Sequence, residues 1–456
     1  MNMSIILAAG EGTRMKSDIP KTLHKICGKE MINYIVEAAQ NSGIDKNVVV
    51  LGHCKETIEK HIKQFGVITV EQPIGKDAPY GTGYAVMAAQ ERINDDDTVL
   101  ILCADGPLIT KETIMNFMDY HKNNSYIASV LTASLNNPKG YGRIIRNEDM
   151  SIRNIIEEKE ASNEIKKIKE INTGIYCFNG KMLKESLKKI DTNNSQNEYY
   201  LTDTVKILSK EGYKIGGWVI EDESDVKAVN DRIQLAEVNK IMQQRINKRH
   251  MLEGVTIINP DNTYIENSVS IGYDTVIYPG TIIEKGTSIG NHCTIGPNTR
   301  IIDSIIKDNV TIDSSKVIES YIDDESKIGP FAYLRPGSKL GKNVKIGDFV
   351  EVKQSSIGDN SKSSHLSYIG DAEVGKNVNV GCGVVFVNYD GKTKHKTTVG
   401  DGAFIGSNSN LVAPVKVEEC GYVACGSTIT NDVEKDDLAI ARARQVNKKG
   451  LGKNRY

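Results

Sequence analysis

Ile265, Ile271, Ile277, Ile283, Ile289, Ile295 and Ile301 stand six residues apart without a miss. The series resumes at Ile306, Ile312 and Ile318, and again at Ile322, Ile328, Leu334, Leu340, Ile346 and Val352. It returns at Ile405, Leu411, Val417, Val423 and Ile429. A six-residue self-similarity specifies a parallel β-helix, in which each repeat supplies one short strand and one corner. Three repeats complete a coil of a three-faced prism, with the aliphatic side chains pointing inward. Glycine and asparagine are frequent between them and suit corners, because they enter the left-handed backbone region cheaply. The series reads as broken twice, at residues 357–369 and 386–399, and breaks in a repeat are where function tends to lodge.

The first half has a different period. Residues 4–7, 48–51 and 98–102 are compact apolar runs, while 31–41, 56–64 and 84–92 carry helix-like apolar spacing. This alternation predicts βαβ units and a parallel sheet covered by helices on both faces. Ligand sites in such sheets gather at the carboxyl ends of the strands. Between the halves, Leu235, Val238, Ile241, Met242 and Ile246 recur at helical spacing, which predicts one long connecting helix over about 225–253. The expected divisions are a first domain over 1–228, a linker helix over 229–250, and a repeat domain over 251–456.

Composition bounds the partners. A net formal charge of −2 over 456 residues gives no basic field for nucleic acid or a membrane surface, so the substrates should be small molecules. No apolar run approaches the roughly 18 residues of a membrane span, and the amino terminus lacks the basic start of a signal peptide. The eight cysteines contain no Cys-x-x-Cys pair and read as reduced thiols. A cytoplasmic protein is expected.

Residues 7–25 run Leu-Ala-Ala-Gly-Glu-Gly-Thr-Arg-Met-Lys-Ser-Asp-Ile-Pro-Lys-Thr-Leu-His-Lys. A glycine-containing loop straight after a strand can turn backbone N–H groups toward phosphates, and Arg14 and Lys21 add charge. The longer string resembles the signature of sugar-phosphate nucleotidyltransferases, which implies a Rossmann-like α/β domain. The resemblance assigns Leu7, Ala8, Ala9, Gly10, Lys21, Gln72, Gly81 and Thr82 to the nucleotide. It assigns Gly142, Glu157 and Asn172 to the sugar, and Asp105 with Asn230 to Mg²⁺, a hard ion that takes oxygen ligands. Arg14 and Lys21 are the expected catalytic cations. Cys103-Ala104 before Asp105, Tyr84, Ala228 and a longer 72–81 segment depart from that family's pattern.

The second half resembles the hexapeptide acyltransferases throughout, which implies a left-handed β-helix and a homotrimer. A lone histidine is usually structural, and His292 and His395 are read that way. His365 differs, because Arg335 and Lys353 lie on preceding coils where they could receive a phosphate. An amine that attacks a thioester must lose a proton, and imidazole accepts one near neutral pH.

Over nearly its whole length the chain resembles the bacterial bifunctional N-acetylglucosamine-1-phosphate uridylyltransferase/glucosamine-1-phosphate N-acetyltransferases. That likeness makes His365 the base for acetyl transfer, with Arg335, Lys353, Tyr368 and Asn379 holding glucosamine 1-phosphate. Cys382, Asn388, Tyr389, Ser407, Cys425 and Arg442 would contact acetyl-CoA. UTP and N-acetylglucosamine 1-phosphate are the implied partners of the first half, and Mg²⁺ its implied ion. Cys382 and Cys425 stand where alanine is common, and either replace it or act as oxidation-sensitive thiols. Two other readings compete. One is a single-activity nucleotidyltransferase that uses the β-helix as an oligomerisation scaffold. The other is a non-catalytic regulatory subunit of a translation-factor exchange complex, against which the loop of Arg14, Lys21 and Asp105 argues.

Overall fold

The structure, a computed structural model, describes residues 1–75 and 78–453. Lys76 and Asp77, within the 72–81 segment that departs from the family pattern, lie outside the described residues. The chain divides into two compact units, Met1–Met242 and Gln243–Tyr456.

The first unit is built on a sheet whose main strands run in the order Ile215–Val219, Ala128–Ser134, Glu170–Asn179, Thr98–Cys103, Asn2–Ala8, Lys46–Leu51, Ile68–Glu71. Successive side chains point to opposite faces and feed separate cores. Met3, Ile5, Val48 and Val50 pack on one side, and Ile6, Ala8, Val49 and Leu51 on the other. Both faces are therefore covered, as the apolar runs predicted.

The sheet is not purely parallel, which corrects the sequence expectation. Glu170–Asn179 runs antiparallel to both its neighbours. The chain reaches that strand through the antiparallel pair Arg143–Arg146 and Ile152–Ile156, with no helical crossover to impose a parallel return.

The linker helix is also shorter than expected, running Arg232–Leu252. Its start is set by Asp231, whose carboxylate accepts the Gln234 N–H at 2.8 Å. The Gln234 side chain in turn accepts the Asn230 N–H at 2.8 Å, so residues 225–231 are held outside the helix. This leaves Asn230 in a fixed irregular segment. Val238, Met242 and Ile246 are buried as the helical spacing required.

In the second unit, strands of two to four residues stack into three parallel sheets, each strand pairing with the one three positions later except at the final pairing of Tyr422–Val423 with Leu438–Ala439. One column runs Ile277, Ile295, Ile312, Ile328, Ile346, Ser363, Val380, Ile405, Val423. This is the prism the hexads predict, and burying each aliphatic side chain contributes on the order of 1.5–3 kcal/mol. Asparagine takes corners with positive φ at positions such as Asn343, Asn360 and Asn377.

Two details of the repeat are corrected. Val317, fully buried, takes the inward place given to Ile318, because the segments from Ile312 to Val317 and from Val317 to Ile322 are each one residue short. The apparent break at 357–369 is no insertion. Ser363 occupies the inward position, 1% exposed, between Ile357 and Ile369. A serine at that place hides the period from any search for aliphatic residues. The 386–399 interruption is a true excursion, a polar loop closed by a bridge between Tyr389 and Lys394.

Candidate functional sites

The carboxyl ends of Asn2–Ala8 and Thr98–Cys103 open into a cavity of about 340 Å³. Leu7, Ala8, Ala9, Gly10, Arg14, Lys21, Gln72, Gly81, Thr82, Asp105 and Asn230, the residues that the resemblance assigns to the nucleotide, the ion and catalysis, all line it. Tyr80 and Glu198 line it as well and carried no recognisable signal, and Cys103, noted only as a departure from the family pattern, lines it too.

Four side chains form its polar centre. Lys21 Nζ donates to Asp105 Oδ2 at 2.6 Å and to Asn230 Oδ1 at 3.4 Å, and Arg14 donates to Asn230 Oδ1 at 2.9 Å. The backbone fixes the two oxygen donors side by side, because the Val229 N–H donates to the Asp105 carbonyl at 2.8 Å. Both oxygens therefore converge on the Lys21 ammonium. Ala104 is wholly buried, and its N–H bonds the Leu7 carbonyl at 3.0 Å. Its methyl thus enters the core, and Asp105 still reaches the cavity.

The rim is closed by a backbone approach that only glycine permits. Gly81 has φ +121°, and a Cβ there would lie 2.3 Å from the Tyr199 carbonyl oxygen. Gly83 N–H bonds that same carbonyl at 2.8 Å, and Leu201 N–H bonds Thr82 Oγ1 at 3.1 Å. Segment 198–202 is thereby tied to the wall carrying Gly81 and Thr82.

Gly142, Glu157 and Asn172 do not line the cavity but form a group beside it. Asn172 N–H bonds the Gly142 carbonyl at 2.9 Å, and a Cβ on Gly142 would sit 3.5 Å from Glu157. The group adjoins the cavity through Cys103, whose thiol donates to the Gly174 carbonyl at 3.6 Å. Burial pushes that thiol up to about 12, so it stays neutral. Burial also raises the Glu157 carboxyl above its usual range, opposed by a 3.3 Å hydrogen bond from Thr202 and reinforced by Glu160, Asp203 and Glu198.

On the β-helix, one corner column carries Asp348, His365, Cys382, Ser407 and Cys425 on successive coils. The N–H of the residue after each member bonds the carbonyl of the member before it: Leu366 to Asp348, Gly383 to His365, Asn408 to Cys382, and Gly426 to Ser407. The expected base and three of the expected acetyl-CoA residues thus share one column. His365 Nδ1 lies 2.6 Å from Asp348 Oδ1.

Beside the column sits a charged cluster. Arg335 donates to Glu351 at 2.7 Å, and Lys353 to Asp371 at 3.5 Å. Asn388 donates to the Tyr368 hydroxyl at 3.3 Å and also to Asp371. The polar loop returns Lys394 to this cluster, where the like charge of the adjacent Lys353 lowers the Lys394 ammonium below its usual value. Two ammonium groups in contact make a place for a doubly charged anion. Lys394 and Asp348 were missed from the sequence, because neither belongs to a motif and both act across coils. Asn379 lies on a different face, paired with Lys362 and Phe404, and Tyr389 is occupied with the Gly391 carbonyl at 2.8 Å. Arg442 lies beyond the last strand, Leu438–Ala439, in the exposed terminal segment.

Among the described residues no helix is long and apolar enough to cross a membrane. A family model described as nucleotidyl transferase matches residues 3–240, and one described as bacterial transferase hexapeptide matches residues 262–297. The chain is similar to a protein of Alkaliphilus metalliredigens named "Bifunctional protein GlmU", with 54% identity covering 98% of this chain and 97% of that one. Proteins of the same name are 54% identical in Clostridioides difficile, covering 98% and 96%, and 53% identical in Acetivibrio thermocellus, covering 97% and 95%.

Proposed function

The chain belongs to the family of bifunctional GlmU proteins, and from that premise we propose which of its residues perform the two reactions. The enzyme makes UDP-N-acetylglucosamine. It transfers acetyl from acetyl-CoA to glucosamine 1-phosphate, then uridylyl from UTP to the resulting N-acetylglucosamine 1-phosphate. Residues 1–228 are assigned the uridylyl transfer, residues 251–456 the acetyl transfer, and residues 229–250 the link between them.

In the first reaction His365 is the base. The sugar amine attacks the thioester carbonyl, a C–N bond forms, the C–S bond breaks, and the amine proton passes to Nε2. The proton then goes to the CoA sulfur. Arg335, Lys353 and Lys394 take the sugar phosphate, with Tyr368 beside it, while Asn379 lies on another face of the same chain and is left out of this cluster. Cys382, Asn388, Tyr389, Ser407, Cys425 and Arg442 take acetyl-CoA. The observation that carries this half is the column joining His365 to Cys382 and Ser407 next to the paired ammoniums of Lys353 and Lys394.

In the second reaction the sugar phosphate oxygen attacks the α-phosphorus of UTP, and the bond to the bridging oxygen breaks to release pyrophosphate. Arg14 and Lys21 neutralise the phosphates and hold them in line. Leu7, Ala8, Ala9, Gly10, Gln72, Gly81 and Thr82 bind the nucleotide, while Gly142, Glu157 and Asn172 bind the sugar. The Asp105 and Asn230 oxygens, which meet on the Lys21 ammonium, are hard donors of the kind Mg²⁺ takes. Bound there, that ion would supply charge neutralisation at the phosphates and a fixed template for them.

A cytoplasmic homotrimer is the proposed setting. The support for association is the exposed apolar edge of Phe331, Phe349 and Leu366 next to His365, the two rings stacked at 5.6 Å. No nucleic-acid or membrane partner is assigned. The test is mass spectrometry of the products from glucosamine 1-phosphate, acetyl-CoA, UTP and Mg²⁺. UDP-N-acetylglucosamine is expected, and accumulation of either half-product alone would reduce the chain to one working site.

A further inference from the structure

We infer that Asp348 is a positioning residue for acetyl transfer, fixing the tautomer and direction of the His365 ring. The inference rests on the assignment of His365 as the base. Asp348 and His365 are direct partners on adjacent coils. The Asp348 carbonyl accepts the Leu366 N–H at 2.9 Å, so the two backbones are locked in register. Gly347 makes the approach close enough, since a Cβ there would fall 2.0 Å from the Ser364 carbonyl oxygen. From this frame Asp348 Oδ1 reaches His365 Nδ1 at 2.6 Å.

The chemistry follows from the donor inventory. An ionised carboxylate only accepts, so the Nδ1 nitrogen must carry the proton of the neutral ring. The lone pair is then on Nε2, the nitrogen pointing away from Asp348. That is the state a base needs before the amine arrives. Once Nε2 takes the amine proton, the ring is an imidazolium and the adjacent carboxylate stabilises it, the same division of roles as in hydrolase triads. A comparable pair on adjacent coils, Asp274 and His292, stands at 3.8 Å and makes no such bond. Ser367 Oγ donates to the His365 carbonyl at 3.0 Å and so helps fix the main chain that carries the ring.

The test uses the full-length chain and three variants, Asp348→Ala, Asp348→Asn and His365→Ala, with kcat and KM for acetyl transfer measured against both substrates. A general base contributes about 10²–10⁴-fold, and loss of its orienting partner should forfeit about 10–100-fold of kcat. Asp348→Ala is expected to show that loss with both KM values within twofold of the parent. Asp348→Asn keeps an oxygen for Nδ1–H but removes the charge beside the imidazolium, and should restore the tautomer with only part of the rate. With ¹⁵N-labelled histidine, the parent should show His365 protonated at Nδ1, and Asp348→Ala should show a mixture of tautomers. Uridylyl transfer serves as the folding control and should be unchanged in every variant.

If His365→Ala abolishes acetyl transfer while Asp348→Ala keeps kcat within twofold, or loses rate through KM alone, Asp348 has no positioning role. An unchanged tautomer in Asp348→Ala overturns it equally. If His365→Ala itself retains acetyl transfer, the fault lies with the assignment of the base.

Discussion

Lys21 and Asp105, 84 positions apart in sequence, meet at 2.6 Å in a cavity where Asn230 accepts from the same ammonium at 3.4 Å. The three residues come from the loop after the first strand, the turn after Thr98–Cys103, and the segment before the Arg232–Leu252 helix. This convergence gives the uridylyl site its charge. Removing Lys21 should leave developing phosphate charge without its donor, an effect typically worth about 10²–10³-fold in kcat. Lys21→Ala is expected to lower uridylyl transfer by that factor in a pyrophosphate-release assay, with acetyl transfer unaltered.

Lys394 should govern the affinity of the acetyl site for its phosphorylated sugar. Its contact with Lys353 lowers the Lys394 ammonium, a repulsion that a bound dianion relieves. Lys394→Ala is expected to raise KM for glucosamine 1-phosphate about tenfold or more, with the KM for acetyl-CoA unaltered. Initial-rate kinetics in both substrates will show it.

Glu157 makes stability depend on pH. Burial raises its carboxyl in the folded chain, so the unfolded chain loses that proton first as pH rises. The folded state therefore binds more protons between the ordinary carboxylate value and the raised one, and stability falls across that window. Glu157→Gln keeps an oxygen for Thr202 and removes the buried charge. It is expected to raise the urea midpoint of unfolding at pH 7 relative to the parent, and to leave it level near pH 4.

Gly81 should resist substitution for a reason confined to the backbone. Its φ of +121° with ψ 165° is a region used almost solely by glycine, and a Cβ would meet Tyr199. Gly81→Ala is expected to cost on the order of 1–3 kcal/mol and to displace segment 198–202. Thermal unfolding and KM for UTP should both report the change.

Ser363 makes the opposite forecast. Its hydroxyl is buried with no hydrogen-bond partner among the described residues, in a place where other coils carry aliphatic side chains. Ser363→Ala should leave stability level or raise it by about 1 kcal/mol, read from denaturant midpoints.

The same serine explains why the β-helix was legible as an architecture but not coil by coil. Isoleucines in strict register give the period, and the pairing of Ile277 with Ile295 confirms it. A short segment moves Val317 inward in place of Ile318, and nothing in the side-chain pattern distinguishes two adjacent aliphatics. The nucleotide loop was legible because its residues are contiguous and end at one strand. Asp348 and Lys394 were not, since their partners are set by coil length and by the path of the 386–399 loop. Asn230 was placed by likeness alone, and only the cap at Asp231 shows why it stays out of the helix.

The central claim is that one chain carries two separate sites, and the most direct test is to measure both half-reactions in His365→Ala and Asp105→Ala. The account predicts that His365→Ala loses acetyl transfer and keeps uridylyl transfer, and that Asp105→Ala does the reverse. Loss of both activities in either variant, with the fold intact by circular dichroism, would contradict it.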